Sequence, residues 1–145
     1  MRALFDTSVL VSAVVQAHPM HERALPWLMR VQNREIELAL SCHSLAELFS
    51  TLTRLPVTPR ITPARATQLV FEITTLSRQV VPLDREDYLS TIQRIASMGL
   101  SGSLIYDALI ARAAEKVGAE HLLTFNESHF RQVWPEGESL LVVPD

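Results

Sequence analysis

The chain of 145 residues is 48% hydrophobic and 20% charged with 8 Pro and 4 Gly, a balance that predicts one compact domain spanning 1–145. No apolar run nears the roughly 20 residues a bilayer span needs. Asp6 interrupts the apolar N-terminal stretch a signal peptide would require, and the lone Cys42 cannot form an internal disulfide, so the expectation is a cytoplasmic protein with no membrane anchor. The net charge of −3 offers no broad basic footprint for nucleic acid, although all but one of the 13 basic residues are arginine, suited to bidentate contacts with phosphate or carboxylate.

Arg2 to Phe5 is a short apolar run followed by Asp6-Thr7-Ser8, which reads as a strand, a polar turn with capping chemistry, and a helix through 9–15. His21 to Val31 carries Ala24, Leu25, Leu28 and Val31 at helical spacing, with Pro26 expected near the first turn. Glu37 to Ser41 reads as a strand. Ser44-Leu45-Ala46-Glu47 matches a capping box and opens a helix with Leu48, Leu52 and Leu55 on one face, ending before Pro56. After a proline-punctuated connector, Thr62-Pro63 begins a helix to about Leu76, and Val80-Val81 forms a short strand. Asp84 caps a helix that closes before Gly99. Leu104 to Val117 is an Ala-rich helix, apolar over much of its surface and ended by Gly118. His121 to Phe125 reads as a strand, Asn126 to Phe130 as a turn or short helix, and Leu140 to Val143 as a last strand. Strands alternating with helices predict a three-layer α/β/α domain around a mainly parallel sheet.

In such a sheet, ligands gather beyond the carboxyl ends of the strands. Asp6 follows the first strand, Glu47 lies early in the helix after the second, and Asn126 follows the strand that begins at His121. Asp107 sits in the first turn of the Ala-rich helix among Ala108, Leu109 and Ile110, where a carboxylate needs a partner. Taken singly, Asp6 and Asn126 also read as helix caps and Glu47 as the partner of Ser44. Gathered at one edge, three carboxylates and an amide oxygen repel unless a cation neutralises them. Oxygen-only ligands suit Mg²⁺ or Mn²⁺, and a phosphodiester is the complementary substrate.

These residues resemble a known family. Asp6-Thr7-Ser8, Leu45-Ala46-Glu47-Leu48, Tyr106-Asp107-Ala108-Leu109-Ile110-Ala111 and Thr124-Phe125-Asn126-Glu127-Ser128-His129-Phe130 are similar, in order and relative placement, to the motifs of PIN-domain nucleases, and among these to the VapC-like toxins of bacterial toxin–antitoxin pairs. The resemblance implies a metal-dependent endoribonuclease that leaves 5′-phosphate and 3′-hydroxyl ends on structured RNA such as tRNA or rRNA. It also implies a homodimer held in check by a small antitoxin. Asp6, Glu47 and Asp107 would be the metal-site acids, with Asn126 completing the catalytic set. Thr7 or Ser8 would fix Asp6, and Thr124 would be a supporting hydroxyl. Many members carry Asp where this chain has Asn126, which removes one negative charge and weakens a second metal site more than the first.

Arg54 lies two helical turns beyond Glu47 and is a possible phosphate contact, with a solvated helix-end arginine as the ordinary alternative. Tyr106 is expected to pack rather than to stack on a base. The histidines have no zinc spacing. An aspartate-based phosphotransferase is disfavoured because position 8 is Ser, and a dinucleotide-binding domain because no Gly-rich loop follows the first strand. The alternative of a different class is a PIN-like module that binds RNA or protein without cleaving it.

Overall fold

A computed structural model describes residues 1–145. Five strands, β1 (Arg2–Phe5), β2 (Glu37–Ser41), β3 (Gln79–Val81), β4 (His121–Leu123) and β5 (Leu141–Val142), form one sheet in the order β3-β2-β1-β4-β5. Every pairing is parallel, one step beyond the mainly parallel sheet expected. Seven α-helices connect them: α1 (Thr7–Val14), α2 (His21–Gln32), α3 (Cys42–Arg54), α4 (Pro63–Leu76), α5 (Arg85–Ser97), α6 (Leu104–Val117) and α7 (Glu127–Val133). None is long and apolar enough to cross a membrane.

Strand period two splits the buried side chains between two cores. Ala3, Phe5, Leu38 and Leu40 face α1 to α4, while Leu4, Ala39 and Leu122 face the side packed by α5 to α7. Both faces are covered, so the strands read as unbroken apolar runs. The same burial explains why α1 is helical despite its valines: Val9, Leu10, Val11 and Ala13 pack into the first core, and tertiary contact outweighs the modest β-branched penalty.

Several features differ from the sequence expectation. Helix α3 starts three residues early, because Ser41 at the end of β2, and not Ser44, caps it by accepting the His43 N–H at 3.3 Å. Ser44 is then inside the helix with a buried, unpartnered hydroxyl, and Glu47 lies in the second turn, so the expected Ser44–Glu47 capping box does not form. A capping box forms instead at α5, where Asp84 accepts from Asp87 N–H and Asp87 accepts from Asp84 N–H. Pro26 lies in the second turn of α2 on an exposed face, where the carbonyl it leaves without a helical donor can meet water. Strand β4 stops at Leu123: the Asp6 N–H donates to Leu123 O, Thr124 N–H donates to Val142 O, and the chain then turns away.

The chain runs from β1 outward through β2 and β3, then returns to β4 on the other side of β1. The β1/β4 boundary is therefore the topological switch point, and its carboxyl edge opens into a crevice where doubly wound sheets place their ligands.

Candidate active site

Asp6 sits at that boundary, capping α1 and almost fully buried. Its Oδ1 accepts the Thr7 N–H at 2.8 Å, and its Oδ2 accepts hydroxyl bonds from Ser8 at 2.7 Å and Thr124 at 2.9 Å. The two hydroxyls in turn accept backbone N–H bonds, Ser8 Oγ from Phe125 and Thr124 Oγ1 from Asn126. Asp6 is thus locked by a network that ties the β1 turn to the β4 turn, and Ser8 and Thr124 hold the positions expected of them. Thr7 bonds Asp6 only through its backbone; its buried hydroxyl lies beside Glu47 and pulls that carboxyl's pKa down against the stronger upward push of burial.

Glu47 from α3 and Asp107 from the first turn of α6 reach the same cleft. Its volume is about 370 Å³, and Ser12, His18, Thr51 and Asn126 also line it. Asn126 precedes α7 but makes no side-chain cap bond, so its amide is not committed to capping. Arg54 lies outside the cleft proper, in an adjoining groove with His43, Glu47, Ser50 and Thr51; its Nε donates to Ser50 O, which leaves the other guanidinium N–H groups facing outward.

The carboxylates raise one another's proton affinity. Burial pushes Asp6 above its ordinary range against the pull of its hydrogen bonds. Burial, then the charges of Asp6 and Asp107, push Glu47 up to about 7. Burial and the Asp6 charge push Asp107 up to about 6, with His129 pulling the other way. Full ionisation near neutrality therefore requires added positive charge.

Sequence reasoning passed over the histidines that attend the two outer acids. His43 Nε2 stands 3.2 Å from Glu47 Oε1, and His129 Nδ1 stands 3.5 Å from Asp107 Oδ2. The i, i+4 spacing of His43 and Glu47 made the first pair readable. The second depends on how α7 packs against α6. Tyr106 packs against His43 in a parallel stack, while the residue as a whole stays 49% exposed.

The donor set fits a hard divalent cation. Glu47 Oε1 is buried with only the Thr7 hydroxyl and His43 near it and no well-formed hydrogen bond, and the carboxylate and amide groups at the cleft all offer oxygen. No group of three His, Cys, Asp or Glu side chains is arranged to hold an ion by itself, so the fit rests on the oxygen chemistry of the donors and not on a preformed cage.

A family model described as the PIN domain matches residues 3–134. The chain belongs to this family. It is 35% identical over 117 residues to Ribonuclease VapC40 of Mycobacterium tuberculosis, covering 81% of each chain. It is 34% identical over 119 residues to Ribonuclease VapC27 of the same organism, covering 79% of this chain and 78% of the relative. Among solved structures, its fold is similar to that of VapBC2 from Rickettsia felis bound to a promoter DNA fragment, with a TM-score of 0.67 and 18% identity over the whole of both chains. It is also similar to VapC20 of M. tuberculosis, described as a sarcin-ricin loop cleaving toxin, with a TM-score of 0.63 and 16% identity over 83% of this chain and 86% of that one. The three-layer α/β/α architecture is that of a PIN domain.

Proposed function

We propose that this PIN domain is a metal-dependent endoribonuclease of the VapC type, the toxin of a toxin–antitoxin pair, with Asp6, Glu47 and Asp107 as its metal-site acids and Asn126 completing the catalytic set. The observation that carries the reading is the convergence of three proton-hungry carboxylates on the β1/β4 switch point. Relatives named ribonucleases, covering about four-fifths of the chain, support the activity.

Asp6, Glu47 and Asp107 would hold the ion, with Asn126 able to add its carbonyl oxygen. When bound, Mg²⁺ or Mn²⁺ supplies positive charge for the phosphodiester and lowers the pKa of a water molecule. The protein's own contribution is positional. Ser8, Thr124 and the Thr7 amide fix the orientation of Asp6, so the central carboxylate needs no reorganisation when substrate arrives. Glu47, at about 7, retains a proton in the free cleft near neutrality and gives it up as positive charge enters. Arg54 provides a free guanidinium edge in the adjoining groove for a flanking phosphate.

The acidic cleft of a chain with net charge −3 repels RNA by itself, and a cation held by Asp6, Glu47 and Asp107 would supply the attraction at the scissile phosphate. The substrate is RNA, with tRNA and rRNA as the first classes to test; the sarcin-ricin loop target of VapC20 favours rRNA. VapBC and FitAB complexes among the structural neighbours support a small antitoxin partner. A homodimer and a cytoplasmic setting complete the proposal.

The test is incubation of the partner-free protein with tRNA and rRNA in Mg²⁺, in Mn²⁺ and in chelator, beside Asp107→Asn. Discrete fragments that require the metal and vanish in the variant are the expected result. Cleavage that persists in chelator, or at full rate in the variant, overturns the assignment.

A further inference from the structure

The ring of Tyr106 lies parallel to that of His43, with centroids 5.2 Å apart and an interplanar angle of 6°, the offset-stacked arrangement that aromatic pairs favour. His43 is held from its other side by Glu47, 3.2 Å from Nε2. Stacking covers one side of the phenol while about half of the residue stays open to solvent. Tyr106 directly precedes the cleft residue Asp107, and His43 lines the adjoining groove with Glu47 and Arg54, so the stack joins the N-terminal turns of α3 and α6 beside the acidic cleft.

A tyrosine whose only need was burial would turn inward, as its apolar neighbours Ala108 to Ala111 do. Here the side chain stacks outward on a second ring whose Nε2 lies beside a site carboxylate. That arrangement fixes an aromatic face in advance, and preorganised faces bind flat ligands at low entropic cost. Arg54 shares a groove with His43 and suits a flanking phosphate, which leaves the open face of Tyr106 for a base.

We propose that the Tyr106–His43 stack at the cleft rim is a platform for one unpaired RNA base beside the scissile phosphate, with Tyr106 as the contacting and specificity-determining residue. This inference rests on the ribonuclease reading of the cleft. It directs the enzyme to single-stranded loops and bulges, where bases are free to splay onto an aromatic ring. Base–aromatic contacts tolerate any base, so the platform selects strand state before sequence.

The test compares two probes of about 12 nucleotides, an oligoadenylate and an abasic oligoribonucleotide of equal length and charge. Each is bound in Mg²⁺ to the wild-type protein, to Tyr106→Phe and to Tyr106→Ala, read by fluorescence anisotropy before cleavage proceeds. Wild type and Tyr106→Phe should bind oligoadenylate alike. Tyr106→Ala should bind it roughly tenfold more weakly, with no change on the abasic probe. An equal loss on both probes, no loss on either, or no measurable wild-type binding overturns the platform. Circular dichroism of Tyr106→Ala checks that the half-exposed substitution leaves the fold intact. Wild-type cleavage of tRNA and rRNA, with and without chelator, is scored separately: a positive binding cycle without cleavage keeps the platform and removes the nuclease reading, whereas metal-dependent cleavage with a null cycle does the reverse.

Discussion

Asp6→Asn separates the chemistry of the site from its contribution to folding. The carboxylate accepts three short hydrogen bonds, two of them from hydroxyls, and a bond to a charged group contributes about 1.5–3 kcal/mol. Losing the two hydroxyl bonds at Oδ2 would alone cost roughly 3–6 kcal/mol by that figure. Yet burial outweighs all of these bonds, because the Asp6 pKa is raised and not lowered. The sign follows from linkage: a carboxyl group more basic when folded favours the folded state below its unfolded pKa, and its ionised form opposes folding at higher pH. At pH 7.5 the charge is a net liability, and removing it offsets the lost bonds. The variant should therefore melt no lower than wild type, within about 1 kcal/mol or roughly 4 °C. Its neighbours should respond too, since the Asp6 charge contributes to the raised pKa of both Glu47 and Asp107. Carboxyl carbon NMR should show both titrating at lower pH, and metal-dependent RNA cleavage should fall at least about a hundredfold, more than supporting residues of metal sites usually cost. A variant that melts far below wild type at pH 7.5, or one that is folded and still cleaves at the normal rate, would refute the reasoning.

The metal-free protein should lose stability as pH rises from about 4.5 through 7, as Glu47 ionises against its raised folded pKa, and saturating Mg²⁺ should flatten that part of the melting profile; a flat profile without metal contradicts the assigned burial. Titration of Mg²⁺ at pH 6.5, repeated in buffers of different ionisation enthalpy, should release about one proton per ion, chiefly from Glu47, and no release would place the ion elsewhere. Thr124→Val removes one donor to Asp6 and the acceptor for Asn126 N–H, so cleavage should fall about 10–100-fold in a folded protein, checked by initial rates beside circular dichroism. Asp87, outside the cleft lining, sits between Lys116 at 2.6 Å and Arg112 at 3.0 Å, and these partners with the Asp84 backbone N–H hold its pKa well below the usual range. Asp87→Ala should cost about 2–4 kcal/mol in urea unfolding at pH 7, leave the cleavage rate of the folded protein unchanged, and cost progressively less as pH falls through the carboxylate range.

Local chemistry made most of the fold legible. Thr62-Pro63, Asp84 and Gly118 mark helix ends by cap geometry that any context would honour, and the helices from Pro63, Arg85 and Leu104 begin where those signals stand. The sequence was enough to suggest one site, because Asp6, Glu47 and Asn126 each follow closely on a strand and Asp107 is a carboxylate set among apolar helix residues. Tertiary structure decided what depended on neighbours distant in the chain. Ser41 displaced Ser44 as the cap of α3 because the sheet ends β2 there, and Thr124 reached Asp6 because β4 pairs with β1 across 118 positions of sequence. Likewise the pairing of His129 with Asp107 and the outward stack of Tyr106 on His43 follow from how α6 meets α7 and α3. A sequence records which groups are present and the local conformations they favour. Charge coupling, desolvation and stacking fall off over a few ångströms, so they are set only once packing has fixed which groups are neighbours.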